Sequence, residues 1–234
     1  MSVTAPPESE LDARLTRIGV DESGKGDVFG PLVVAGVIVT PDVEELLARR
    51  GVRDGKRVAR GRIAELAQLV RANCPVEVLT LEPPDYNRAY EKHGRNLNRL
   101  LAWGHAQVIS KLSQRVPVAK AISDQFGKHS LLIQALAAEG CPIVLEQRPQ
   151  GESDLAVAAA SVVARAAFIA AIEAYSRQFG LNIPLGASDS QVKEVGRYIY
   201  RRWGRPGLEQ VAKMHFKTVR EIIAEVDNDR MIDS

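Results

Sequence analysis

The chain has 234 residues, 45% apolar and 26% charged, with a formal net charge of +2. That is enough apolar chain for a sizeable core, which excludes global disorder, and too little positive charge for a protein that coats nucleic acid indiscriminately. Two isolated cysteines, Cys74 and Cys141, offer no CxxC or zinc spacing and read as reduced core thiols.

Residues 1–15 are polar, contain Pro6, Pro7 and Ser9, and predict a loose tail without the apolar run of a signal peptide. No stretch reaches the roughly 18 apolar residues of a membrane span, so no membrane and a cytoplasmic location are expected. A strand is predicted over Thr16–Asp21, then a turn at SGKGD, then a buried strand LVVAGVIV at 32–39, the two forming an antiparallel pair. A helix over 60–73 puts Ile63, Leu66, Leu69 and Val70 on one face. There follow a strand at 75–81, a short helix PDYNRAYEKHG, and a long helix over 96–115. Next come a strand at 119–126, a helix from His129 that stops at Gly140, and a strand CPIVLEQR. Residues 155–175 are Ala-rich and helical. Ser188 with Gln191, and Thr218 with Glu221, fit capping boxes that open two last helices. The plan is α/β with a mixed sheet: a tail at 1–15, one domain at 16–226, and a tail at 227–234.

The segment from Gly19 to Asp27 is the richest in chemistry. Asp21 and Glu22 end a strand, and Gly24-Lys25-Gly26 follows at once. Neighbouring strand residues point to opposite faces, so both acids reach one site only if the strand ends or bends near Glu22. A lone acidic pair reads as an exposed polar turn. Asp124 ends a second strand, however, and Glu152 and Asp154 stand just before the Ala-rich helix, where complementarity to the helix dipole is an equal reading of that last pair. Ligands bind at strand ends in α/β folds, and converging carboxylates repel unless they hold cations. Mg²⁺ and Mn²⁺ prefer such oxygen donors.

DESGKGDVFGPLVVAGVIV resembles the opening motif of the type 2 ribonucleases H. GKGD followed by Phe29-Gly30-Pro31 is more like ribonuclease HIII than the arginine version of ribonuclease HII. The likeness continues through AWGHAQVI, ISDQF, LAVAAASVVAR, GASDSQVKEVG and VAKMHFKT, over roughly residues 16–218. The resemblance implies an RNase H-like fold, a mixed five-stranded sheet flanked by helices. It also implies a metal-dependent endonuclease that hydrolyses the RNA strand of RNA–DNA hybrids with two Mg²⁺ or Mn²⁺ ions, leaving 5′-phosphate and 3′-hydroxyl ends. Asp21, Glu22 and Asp124 are implied as metal-binding carboxylates, with a fourth acid in the 152–154 cluster: Asp154 first, Glu152 second. Gly24-Lys25-Gly26 is implied to meet the ribose 2′-hydroxyl by close backbone approach. Lys56 resembles the family's phosphate-contacting lysine, against a plain solvated loop charge.

Ser161, inside AAAS, reads first as helix packing and second as a hydroxyl facing the substrate. Lys213, His215 and Lys217 read equally as phosphate contacts or a surface face. His105 reads as packing or polar support, and Tyr86, Tyr90 and Trp103 as core. Ribonucleases HIII typically carry an extra N-terminal substrate-binding domain, whereas about 15 residues precede the first strand here. Hybrid affinity is then expected from the catalytic domain or a partner, and a monomer is expected. The stretch around Gly186 and Ser188 reads like ribonuclease HIII, so runs of ribonucleotides are expected to be preferred. The alternatives are incision at single ribonucleotides embedded in DNA, as in ribonuclease HII, and a non-catalytic hybrid-binding module.

Overall fold

The computed structural model describes residues 16–53, 55 and 58–232. The predicted N-terminal tail and Lys56 lie outside the described residues. Five strands form one mixed sheet in the order β3-β2-β1-β4-β5: β1 (Arg17–Ser23), β2 (Leu32–Val39), β3 (Val76–Leu81), β4 (Lys120–Asp124) and β5 (Val144–Arg148). All eight residues of β2 are buried, as an apolar run covered on both faces should be. β1 pairs in parallel with β4, and β4 with β5. The helices are α1 (Pro41–Arg49), α2 (Arg60–Asn73), α3 (Pro83–Lys92), α4 (Leu97–Arg115), α5 (His129–Ala138), α6 (Leu155–Phe179), α7 (Ser190–Val211, bent at Gly204) and α8 (Lys217–Ile232). Sequence pattern left α1 unassigned; Pro41 opens it, where its missing N–H costs nothing.

The chain divides into two compact units. One comprises the described residues up to Glu22, Val34–Leu79 and Leu97–Ala166, and so most of the sheet with α1, α2, α4, α5 and the first half of α6. The other comprises Ser23–Val33, Thr80–Asn96 and the chain from Ala167, with α3, the rest of α6, α7 and α8.

In the first unit α6 lies directly on β1. A Cβ on Gly19 would fall 2.0 Å from the carbonyl carbon of Ala156, so only glycine admits this approach. Arg17, at the start of β1, ties two helices to the strand. Its guanidinium donates to both carboxylate oxygens of Glu44 on α1, at 2.7 and 2.9 Å, and its Nε donates to Asp154 Oδ2 at 2.8 Å. This fork geometry is the strong form of ion pair, and it holds the Glu44 carboxyl below its ordinary range. α6 is long and apolar enough to cross a membrane by length and composition, contrary to the expectation that no segment is. Yet 67% of its most apolar stretch is buried inside the protein, so it serves as a core helix.

In the second unit α7 and α8 are joined by Lys193–Glu221, Arg197–Glu225 and Arg201–Asp229, a ladder with one rung every four residues. Between the rungs Gly196 receives Ile222, whose Cδ1 would lie 2.5 Å from a Cβ at that position. Both predicted caps shift. Asp189, not Ser188, caps α7 by accepting from Gln191 N–H at 2.8 Å. Thr218 lies inside α8, and its hydroxyl donates to Ala187 O. The predicted C-terminal tail at 227–234 is helical through Ile232. Tyr200 donates to Asp227, and the Arg230 guanidinium lies over the Tyr200 ring, so these polar residues face α7 instead of fraying.

Candidate active site

β1 ends at Ser23, one residue past Glu22, which meets the condition for both acids to reach one site, while strand alternation starts them from opposite faces. Arg17, Gly19 and Asp21 share the face covered by α6. Val20 and Glu22 face α4. Neither acid is an exposed turn residue: Asp21 is 8% and Glu22 7% accessible. The register runs Ile18–Ala121, Gly19–Ile122, Val20–Ser123, and its next step sets Asp21 across from Asp124 on one face at the strand ends.

Each carboxylate is held by a neighbour. Asp21 Oδ1 accepts the Glu22 N–H at 2.8 Å, and Asp124 Oδ1 accepts the Gly151 N–H at 3.1 Å. Glu22 Oε2 lies 2.9 Å from His105 Nε2, and the other ring nitrogen lies 3.2 Å from Ser123 Oγ. The buried His105, edge-on to Phe126, therefore links the ends of β1 and β4. The expected polar support is what His105 provides, and its target is an acid of the site.

Gly151 belongs to a single 3-10 turn, Gly151–Ser153, that leads into α6. Asp154 caps that helix: Oδ1 accepts from Ala156 N–H at 2.8 Å while Oδ2 takes Arg17. Its place on the Asp21 face follows from the packing of α6 on Gly19. Glu152 lies in the 3-10 turn, and its side chain falls outside the described residues. Among the described residues no three His, Cys, Asp or Glu side chains stand together as a metal-holding group. Ser161 is buried and its Oγ accepts the Gly55 N–H at 3.1 Å. That bond ties Gly55 to α6.

The GKG segment forms a turn closed by Asp27 N–H to Gly24 O at 3.3 Å. Gly24 has φ +89° and packs against Phe168, whereas Gly26 is exposed, with nothing within 4 Å of a would-be Cβ. Asp27 Oδ1 accepts the Gly186 N–H at 2.7 Å, so the stretch singled out near Ser188 anchors this loop.

Lys213 is no phosphate contact. It is 0% accessible, and its Nζ donates to Asp27 O at 3.0 Å and Gly30 O at 2.6 Å. Its neighbour His215 stacks on Tyr90 at 4.4 Å with Nδ1 buried and unpaired among the described residues. Tyr86 is fully buried, as the core reading expected. Burial, with Lys213 and Arg220 nearby, pushes the His215 pKa down to about 4. The unfolded chain then binds the proton more readily, so stability contributed by neutral His215 is present above pH 6.5 and is lost as pH falls towards 4. Urea midpoints between pH 7 and 4.5 should therefore fall more steeply for the wild type than for His215→Gln; parallel curves would refute the assignment.

The family described as ribonuclease HII matches residues 18–219. Ribonuclease HIII of Protochlamydia amoebophila is 38% identical over 220 residues, covering 94% of this chain and 72% of the relative. That of Chlamydia caviae is 45% identical, covering 88% and 69%. The chain belongs to the ribonuclease HII/HIII family. Among solved members, Bst-RNase HIII superimposes with a TM-score of 0.83 at 32% identity, over 94% of this chain and 73% of that one. The ribonuclease H2 of Pyrococcus horikoshii, at 22% identity and a TM-score of 0.78, shares the fold over 91% of this chain and 99% of its own. The RNase H-like sheet anticipated from the motifs is thus the architecture of this ribonuclease, and the chain spans about 70% of its HIII relatives.

Proposed function

We propose that this protein is an endoribonuclease that hydrolyses the RNA strand of RNA–DNA hybrids at the ends of β1 and β4. Membership of the family makes it a hydrolytic ribonuclease. The observation that carries the site is the parallel register of β1 on β4, whose continuation sets Asp21 across from Asp124 at adjacent strand ends, with Glu22 braced by His105.

The solved Bst-RNase HIII is described in complex with Mn²⁺, and Mg²⁺ or Mn²⁺ is the cation proposed for this chain. The donor chemistry fits: the groups are carboxylate oxygens, and such ions are bound through one or two carboxylates while keeping several waters. Asp21, Glu22 and Asp124 would hold the cations, with Asp154 as the fourth acid from its place on the Asp21 face. Bound as a pair, the cations supply neutralisation of phosphate charge and a water acidic enough to attack. The protein's own share is preorganisation. The Glu22 and Gly151 N–H groups and His105 fix the carboxylates before substrate arrives, so orientation need not be gained during reaction. The exposed Gly26 leaves its backbone open to close approach by a ribose, whose 2′-hydroxyl distinguishes RNA from DNA.

Cleavage mapping on a uniform hybrid and on a duplex with one embedded ribonucleotide, in Mg²⁺ and Mn²⁺, tests this reading. Cuts within ribonucleotide runs that leave 5′-phosphate and 3′-hydroxyl ends are expected. Efficient incision at the single ribonucleotide would favour the ribonuclease HII-like alternative. Hybrid binding without metal-stimulated hydrolysis would sink the assignment.

A further inference from the structure

The second unit contains a lysine where charge is costly. Lys213 is fully enclosed, and its Nζ lies 5.5 Å from the centre of the Tyr86 ring. Burying an ammonium costs several kcal/mol, on the order of what a good set of hydrogen bonds returns, and an apolar side chain of similar volume would often fill the space with less strain on stability. The environment shows that cost: desolvation lowers the Lys213 pKa to about 7, with Asp27 and Glu82 opposing the shift.

The hydrogen bonds of the ammonium converge on one loop. Its two hydrogen bonds go to the carbonyls of Asp27 and Gly30, and the Lys213 backbone N–H takes the carbonyl between them, Val28 O, at 2.8 Å. Other bonds to this segment do not involve the Lys213 side chain: Val28 N–H to Gly186 O and Gly30 N–H to Val211 O, both at 2.9 Å, and Gly186 N–H to Asp27 Oδ1 at 2.7 Å. Those would survive a change of the Lys213 side chain. The Asp27 and Gly30 carbonyls would lose their side-chain donor, and these two groups flank the piece of loop that follows the exposed Gly26. Buried carbonyls without donors are costly and would drive the loop to rearrange.

We infer that Lys213 is a positioning residue for substrate recognition: its buried ammonium grips the Asp27 and Gly30 carbonyls and so sets the shape in which the Gly24–Gly30 loop meets the RNA strand. This rests on the proposed contact between the loop and the 2′-hydroxyl. Lys213 itself touches no substrate.

The test uses the full chain carrying Lys213→Met, which keeps the stem and removes the donors. Amide hydrogen exchange over residues 24–30 is measured beside KM and kcat on a uniform RNA–DNA hybrid. Exchange in the loop should quicken at least about tenfold while the sheet stays protected. KM should rise roughly tenfold, with kcat changed by less than about threefold. If Lys213→Met fails to fold, Lys213→Leu, which also lacks donors, is read in the same way. Loop exchange at the wild-type rate would overturn the inference, leaving Lys213 as a plain strut. Faster exchange with unchanged KM would also overturn it, and Gly26→Ala then shows where the fault lies. If Gly26→Ala impairs cleavage, the loop meets RNA and Lys213 does not set its working shape. If Gly26→Ala is silent too, the 2′-hydroxyl contact itself has failed.

Discussion

Asp124→Asn should leave a folded protein that cleaves an RNA–DNA hybrid at least about a thousandfold more slowly than the wild type, roughly 4 kcal/mol of barrier. The substitution changes charge and almost nothing else. Asparagine has the same shape, and its Oδ1 can still accept the Gly151 N–H that Asp124 accepts now. The parallel pairing of Asp124 with Arg148 on β5 is made by backbone and is untouched. What disappears is a negative oxygen donor across from Asp21, at the site where a hard cation would be held. Circular dichroism and the thermal midpoint establish that the fold persists, and single-turnover cleavage reads the loss. Activity within a few-fold of wild type would remove Asp124 from the chemistry.

Gly26→Ala and Gly24→Ala should part company, though they are two residues apart. At Gly26 an added methyl meets nothing within 4 Å, so stability should stay within about 0.5 kcal/mol of wild type. If the ribose must approach this backbone, the same methyl stands in its way, and hybrid cleavage should fall by roughly ten- to a hundredfold. At Gly24 the φ of +89° is strained for alanine, and the new Cβ would lie 2.2 Å from Pro31 O and 2.8 Å from the Phe168 ring. That variant should lose about 2–4 kcal/mol of stability whatever the substrate does. Denaturant midpoints set beside initial rates separate the two effects. A Gly26→Ala enzyme with full activity would leave the loop without a role in recognising RNA.

Much of this was legible in the sequence, and what was not has a common cause. The acidic strand ends could be read because apolar strands stopping at Asp21 and Asp124 are local patterns. The split of Asp21 from Glu22 follows from strand alternation, but whether the strand bends at Glu22 depends on what receives the second carboxylate. His105 receives it from 83 residues away. Asp154 looked like a helix-start acid or a metal ligand. It does cap α6, and its second oxygen goes to Arg17, 137 residues distant. KMHFK looked like a basic surface because nothing nearby in sequence reveals that Lys213 closes over carbonyls at 27 and 30. The last helix was cut short at 226 because DNDRMIDS is polar on its own, and the Arg201 and Tyr200 partners that meet Asp229 and Asp227 lie on α7, 27 to 28 residues away.

The ladder between α7 and α8 has a further consequence for how those helices find their alignment. Its rungs recur every four residues on both sides, so a slip of one helical turn would give Arg197 and Arg201 new acidic partners at Glu221 and Glu225, or Lys193 and Arg197 partners at Glu225 and Asp229. Electrostatics thus selects which faces meet but scarcely distinguishes one offset from the next. The notch at Gly196 does distinguish them, because only the present offset brings Ile222 to the position without a side chain. The charges act as an address for the helix, and the glycine notch is the detent that stops it at the right turn.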